Sequence, residues 1–341
     1  MATGVALIGS GIFAKEEHLP AIRATQLLLL KAIYSRSLQS ARSLSEGLSG
    51  VDLYSEDQSG KNYDELLKRG DIAGVVIALP ILVQPDFIKK ALLAGKHVLA
   101  EKPIAKDVAT AIELLNWYNN TIKKPQGPTF TIAENYRFLD SFVYASQQIP
   151  TLGPVLGFRT RMNAMVTPGG KYFETAWRKK PEYQGGFLLD GGVHFIAATR
   201  LMLGEAAAPV KTSAFTTQLQ EHLPPVDTLN ATILLKNGSS GTVSISFGTT
   251  FKGSEYAVAC QKGTVTVSRG KVTVEEDGKE EVQEFPDEGN GVVQEIKAWA
   301  ESLIKGDVDP RQSPEEALKD LVFLEQCLRS GENGGAPYSL A

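Results

Sequence analysis

Only two of the 341 residues are cysteine, Cys260 and Cys327, far apart and in no metal-binding spacing. That excludes a disulfide framework and a thiolate zinc site, and two reduced thiols are expected. Histidine is scarce too, with four residues and no H-E-x-x-H pair, so no metal is expected. Positive charge is not in surplus: 35 Lys and Arg face 39 Asp and Glu, a formal net charge of −4. Nucleic acid is therefore not an expected partner, because phosphate binding needs a clustered positive surface. Long apolar runs are missing as well. The longest streak, near TQLLLLKAIY, falls short of the roughly 20 residues that span a bilayer, so no membrane association is expected. The opening MATGVALIGSG has no basic leader and enters a strand pattern at once, which gives the expectation of a cytoplasmic protein.

What is present is ordinary for a packed core, with 43% hydrophobic and 22% charged residues, in a chain long enough for two domains. The first third alternates short apolar runs with helical stretches. GVALIG (4–9), LLLLKAIYS (27–35), VDLY (51–54), GVVIALP (74–80), KHVLAE (96–101) and TFTIAEN (129–135) read as strands. This alternation predicts a parallel, doubly wound sheet. The second half changes rhythm to successive strands from about 155 to 285, punctuated by Asn237-Gly238, Lys262-Gly263, Arg269-Gly270 and Asp277-Gly278 turns. A large, mostly antiparallel open sheet is predicted there, followed by two helices near 292–305 and 313–329. The fold class is thus α/β in the N-terminal part and α+β in the C-terminal part. IKKPQGP (122–128) interrupts the pattern and places the boundary between domains 1–125 and 126–341.

Gly9, Gly11 and Ala14 stand in G-x-G-x-x-G/A spacing between the first strand and the first helix. Gly9 suits a tight turn, Gly11 a backbone that approaches a pyrophosphate, and Ala14 close packing of helix on strand. The helix opening at Ile12 and Phe13 offers N–H groups and positive dipole to the anion. This is the fingerprint of a dinucleotide-binding Rossmann domain. An acid about 20 residues on would bind the ribose 2′-hydroxyl of NAD. Here the second strand ends at Ser35 and Arg36, without an acid, which favours the 2′-phosphate of NADP(H). A solvated arginine after a strand is the plainer reading of Arg36.

GGFLLDGGVHFIAATRLMLG (185–204) carries an acid and a histidine four residues apart, Asp190 and His194, on one face of a helix. Gly191 and Gly192 between them are poor helix formers. They are expected to let the helix backbone come close to a bound nicotinamide and substrate, with Gly185 and Gly186 turning the chain into the helix. The alternative is an irregular helix start capped by Asp190, with His194 packed in a core.

With Glu101-Lys102-Pro103 after a strand of the nucleotide sheet, AENYRF (133–138), AWR (176–178) and the Asp-x-x-x-His helix, nearly the whole chain resembles the glucose–fructose oxidoreductase/inositol dehydrogenase (Gfo/Idh/MocA) family. The resemblance implies that Lys102 reaches the reacting substrate oxygen, that His194 is the proton donor and acceptor, and that Asp190 binds substrate or orients the site. It also implies that Glu101, Lys102, Asn135, Trp177 and Arg178 lie against the cofactor. Where many relatives read Thr-Pro-Asn-x-x-His after the fourth strand, this chain reads Leu79-Pro80-Ile81-Leu82-Val83-Gln84. Only backbone contacts to the cofactor are therefore expected from Leu79 and Pro80. A surface ion pair with Glu101 is the plainer reading of Lys102. His18 reads as packed or solvated.

Tyr136, Arg137 and Tyr172 are candidates for polar substrate recognition. Arg159, Arg161 and Asn163 alternate along one strand and share a face, which either supplies the pocket floor or is solvated or subunit-facing. The expected function is an NADP(H)-dependent oxidoreductase acting on a secondary alcohol or carbonyl of a small sugar-like or cyclic molecule. Reduction of an imine, enone or dihydrodiol-type substrate, and a non-catalytic NADP-binding regulator, are the alternatives. A homo-oligomer, dimer or tetramer, is expected.

Overall fold

The computed structural model describes residues 2–340, which form two compact units. The first comprises residues up to Glu134 together with Val292–Leu318, and the second Asn135–Gly291 with Lys319 onward. In chain order the strands are β1 Thr3–Ile8, β2 Leu28–Ser35, β3 Asp52–Ser55, β4 Gly74–Ile77, β5 His97–Glu101, β6 Phe130–Ala133, β7 Val155–Asn163, β8 Pro209–Thr217, β9 Thr228–Leu235, β10 Ser240–Ser246, β11 Gly253–Cys260, β12 Gly263–Ser268, β13 Lys271–Glu276, β14 Lys279–Glu284 and β15 Tyr338–Ser339. The helices are α1 Leu19–Ala24, α2 Leu38–Leu44, α3 Tyr63–Leu67, α4 Gln84–Leu93, α5 Val108–Trp117, α6 Asp140–Gln148, α7 Ala176–Lys179, α8 Gly186–Leu203, α9 Val292–Lys305 and α10 Pro314–Glu332.

In the first unit six strands make a parallel sheet in the order β3-β2-β1-β4-β5-β6, as the strand–helix alternation predicts. Burial on both faces explains the continuous apolar runs: Val5, Ala6, Leu7 and Ile8, and Val75, Val76 and Ile77, have no exposed surface. The units divide at Glu134 and not at the expected 125/126, because β6 completes the first sheet beside β5. The chain also returns to this unit at α9. Val292, Ile296, Trp299 and Ala300 of α9 join the core cluster of Val5, Leu7, Ile22 and Val76, and a Cβ on Gly74 would lie 3.0 Å from the Trp299 ring.

The second unit holds a nine-stranded sheet, β14-β13-β12-β11-β7-β10-β9-β8-β15. All of its pairings are antiparallel except β7 with β10. Helix α8 packs on it. The Thr160 hydroxyl of β7 meets the Thr199 hydroxyl of α8 at 2.7 Å, and Phe187 and Phe195 meet Phe247 at ring distances of 5.0 and 6.2 Å. By length and composition α8 is the described helix that could cross a membrane, a property the sequence reading missed; it is the buried core helix of its unit.

One acid in the first unit is buried at a cost. Glu295 of α9 is fully buried, and neither carboxylate oxygen has a hydrogen-bond partner among the described residues. Burial, and then the negative charges of Glu101 and Glu134, push its carboxyl well above the usual value of 4.5. The folded state therefore holds a proton that the unfolded chain releases, and the stability this contributes is present in acid and lost as pH rises above the ordinary carboxylate range. Glu295→Gln is expected to unfold like wild type near about pH 4, and at higher temperature than wild type by about pH 8. Thermal melts across that range check this; a pH-independent difference contradicts it.

Candidate functional site

The loops that leave β1, β2, β4 and β5 all lie at the carboxyl ends of neighbouring parallel strands, where the order β3-β2-β1-β4 reverses the winding. Gly9 has φ 115°, and a Cβ there would stand 2.2 Å from the Ala78 carbonyl oxygen in the loop after β4, with Leu79 beside it. Only glycine fits that turn. At Gly11 a Cβ would meet nothing within 4 Å, so no protein atom demands a glycine there and the backbone stands open. Ile12 and Phe13 open the helix, and Ala14 is buried in the core, as the fingerprint requires. Leu79 is half-buried and Pro80 exposed.

At the end of β2 the Ser35 hydroxyl is buried against that of Ser10 at 2.7 Å. Arg36 is exposed and forms no salt bridge to a described residue. The sequence shows no acid there, but the fold supplies one from the loop after β3. Asp57 Oδ1 accepts the Leu38 N–H at 2.9 Å at the start of α2. The neighbouring Ser55 hydroxyl, and then the Leu38 amide, hold the Asp57 carboxyl below its usual range.

Glu101 ends β5. Its Oε1 accepts from His18 Nε2 at 2.7 Å, its Oε2 from the Lys102 N–H at 3.2 Å, and its carbonyl from Gln84 Nε2 at 3.1 Å. His18 and Gln84, neither expected at the site, are buried against Glu101.

In the second unit α8 begins where Gly185 adopts φ 83° and Gly186 φ 46°, as expected of the turn into the helix. Gly191 and Gly192 have a different purpose from the one predicted. A Cβ on Gly191 would lie 2.8 Å from the Phe247 ring, and one on Gly192 2.9 Å from Leu324. The glycines let α8 approach the protein's own core side chains, and that seat fixes Asp190 and His194. Asp190 is 5% exposed and is neither a cap nor alone. Arg178 Nε donates to its Oδ2 at 2.8 Å, and the guanidinium lies 4.0 Å from the Trp177 ring centroid and 5.7 Å from that of Tyr172. One turn along, the His194 ring is stacked on Tyr136 at 4.9 Å and 21°.

Tyr136 belongs to the 3₁₀ turn Asn135–Phe138, tied down by buried polar groups. Arg137 gives both Asp320 oxygens hydrogen bonds of 2.7 and 2.6 Å, Arg200 of α8 adds a third at 2.5 Å, and Asn135 donates its amide to the Asn290 carbonyl at 2.7 Å. Asp190 with Arg178, Trp177 and Tyr172, and His194 with Tyr136, are thus two groups of contacts one turn apart on α8. Arg161 is part of neither. Its neighbour Thr160 points to α8, so Arg161 faces the opposite side of the sheet, as does Arg159, which pairs with Glu255 at 2.6 Å. Asn163 ends the same strand, buried. Sequence reading also missed Tyr183, whose hydroxyl has no described partner; burial, and then the Asp190 charge, push its pKa up.

Family comparison agrees with this geometry. Residues 3–123 match the model of an oxidoreductase family, NAD-binding Rossmann fold, and residues 147–340 that of the oxidoreductase family, C-terminal alpha/beta domain, both of the Gfo/Idh/MocA type. The chain belongs to the Gfo/Idh/MocA oxidoreductase family. It is 43% identical to the dehydrogenase FPY6 of Fusarium mangiferae, over 98% of this chain and 97% of that one. The D-xylose 1-dehydrogenase (NADP(+)) 2 of Haloferax volcanii is 24% identical over 97% and 98%. The solved structure of the oxidoreductase TM0312 of Thermotoga maritima superposes with a TM-score of 0.88 at 31% identity, covering 100% and 99% of the two chains.

The two fingerprint glycines are expected to fail differently when each is replaced by alanine. Gly9→Ala meets a carbonyl oxygen and should lower stability by about 1–3 kcal/mol. Gly11→Ala should melt like wild type yet bind NAD(P)H at least tenfold more weakly, roughly 1.4 kcal/mol. Melting curves with titrations of NADH and NADPH check both. Unchanged affinity for both in Gly11→Ala would remove the expected pyrophosphate contact.

Proposed function

We propose that this Gfo/Idh/MocA oxidoreductase is NADP(H)-dependent and interconverts a secondary alcohol and a carbonyl on a small sugar-like or cyclic substrate. The observation that carries the reading is the α8 face, where Asp190 is held by Arg178 and His194 is stacked on Tyr136. A bound nicotinamide supplies or accepts the hydride. His194 takes the proton from the substrate hydroxyl, or returns it to the carbonyl oxygen, a task suited to imidazole at neutral pH. In the first unit, Lys102 is the ammonium suited to negative charge developing on a reacting oxygen. Asp190, fixed by Arg178, offers its remaining capacity to substrate hydroxyls. Tyr136 and Tyr172 add hydroxyls and ring faces of the kind that recognise a sugar.

The preference for NADP(H) is supported by the exposed, unbridged Arg36 and by the name of the Haloferax relative. Asp57 at the start of α2 works against a 2′-phosphate, so Arg36 is the residue that decides. A homo-oligomer is part of the proposal. The sheet face opposite α8 carries Arg159 and Arg161 with exposed Phe215 and Leu234, a surface suited to a second copy of the chain.

Screening aldoses, ketoses and cyclic polyols for NADP(H) turnover tests the reading. Lys102→Met and His194→Asn are each expected to lower turnover by about 10²–10⁴-fold, with NADPH affinity within about threefold of wild type. Wild-type turnover in either variant contradicts the roles given to them. Arg36→Ala is expected to weaken NADPH binding about tenfold, roughly 1.4 kcal/mol, without affecting NADH. Equal effects on both would contradict the 2′-phosphate role.

A further inference from the structure

His18 and the residues around it are not explained by dinucleotide binding alone. The histidine closes the π turn Ala14–His18, which follows the fingerprint glycines directly; such turns recur at functional sites. Its side chain has no exposed surface. Phe13, at the helix opening, meets the imidazole edge-on at 5.2 Å and 77°, which fixes the ring plane. Nε2 then donates to Glu101 Oε1 at 2.7 Å, since a carboxylate oxygen only accepts. The other Glu101 oxygen receives the Lys102 main-chain N–H, and Gln84 holds the Glu101 carbonyl from α4.

We infer that His18 is a positioning residue for Lys102. It holds the carboxylate that anchors the backbone from which the lysine side chain departs, and so links the dinucleotide-binding turn to the catalytic lysine. The inference rests on the role proposed for Lys102. Its physical content is a chain of contacts within the first unit: Phe13 to His18, His18 to Glu101, and Glu101 to the Lys102 amide. Anything that moves the helix opening moves the imidazole, and the imidazole moves the Lys102 main chain. The acids of this buried region are Glu101 from β5, which the imidazole contacts, Glu134, and the protonated Glu295, which feels the charges of the other two. Loss of the hydrogen bond therefore leaves the Glu101 carboxylate without its imidazole partner, with less reason to keep its place. A misplacement of about 1 Å at a reacting group costs on the order of 100-fold in rate.

Two amide substitutions separate positioning from packing. The side-chain nitrogen of glutamine falls where Nε2 of histidine lies and can reach Glu101, whereas that of asparagine falls where Nδ1 lies and cannot. His18→Asn is expected to lower kcat about 10–100-fold, with the Kd for NADPH within about threefold, and His18→Gln to recover most of the loss. A second readout needs neither cofactor nor turnover. Exchange of the Lys102 backbone amide, followed by NMR in the cofactor-free protein, should speed up at least about tenfold in His18→Asn and stay near wild type in His18→Gln. Unchanged exchange in His18→Asn overturns the inference, as does equal damage in both variants with a lowered melting temperature, which is the signature of packing alone. If the wild-type protein turns over none of the screened alcohols or carbonyls, the proposed activity fails, while the amide exchange still decides the role of His18.

Discussion

The close seat of α8 against Phe247 and Leu324 is the constraint on which the second unit's chemistry depends. Two glycines in a helix interior cost about 1 kcal/mol each relative to alanine, and here that cost admits a ring and a branched chain that any Cβ would push away. With the helix seated, Asp190 is carried into the unit and cannot remain there as an unpaired charge. Arg178 satisfies it, and in doing so brings α7 with Trp177 onto the same cluster. The same logic holds nearly three turns further along, where Arg200 and Arg137 share the buried Asp320 and so fix the 3₁₀ turn that stacks Tyr136 on His194. Breaking a buried pair of this kind by removing one partner costs about 3–5 kcal/mol, because the other charge is left behind. The arrangement is therefore rigid where a proton-transfer group needs rigidity.

The first unit uses the same device with different residues. Glu101 at the end of β5 is held at three atoms: its carboxylate oxygens by an imidazole and a neighbouring main-chain N–H, and its main-chain carbonyl by a glutamine. Glu101 thereby acts as a fixed post in the loop that carries Lys102. In both units a side chain given a chemical role in the proposed function stands near an acid held by a partner from another segment: Arg178 for Asp190, His18 for Glu101. Such bracing is what sets a reacting group within the small tolerances that rate enhancement demands.

Much of this was legible in the sequence, and what was not has identifiable causes. The glycine fingerprint is local, so Gly9, Gly11 and Ala14 could be assigned from spacing alone, and the strand alternation gave both sheets. Asp190 and His194 were also visible, because a four-residue separation on a helix is a local geometric fact. The purpose of Gly191 and Gly192 was hidden, because the atoms they make room for lie dozens of residues away on other elements. His18 offered no signal, since its partner is 83 positions on and an isolated histidine in a helix is usually packing. The return of α9 to the first unit was equally invisible: an apolar helix face fits any core, and only Trp299 against Gly74 settles which. Arg161 stayed open between pocket floor and outer face, because alternation tells which residues share a face but not which face meets the helix.

The central claim is that this fold moves a hydride between the nicotinamide of NADP(H) and a carbinol carbon, with protein groups handling only the proton. Supplying NADPH deuterated at the transferring position, with a carbonyl substrate found in the screen, measures this most directly. The account predicts one deuterium on the new carbinol carbon, seen by NMR of the product, and a hydroxyl hydrogen drawn from water. Product whose carbinol carbon carries hydrogen from the solvent, or NADPH that binds and is never oxidised with any alcohol–carbonyl pair, would contradict it.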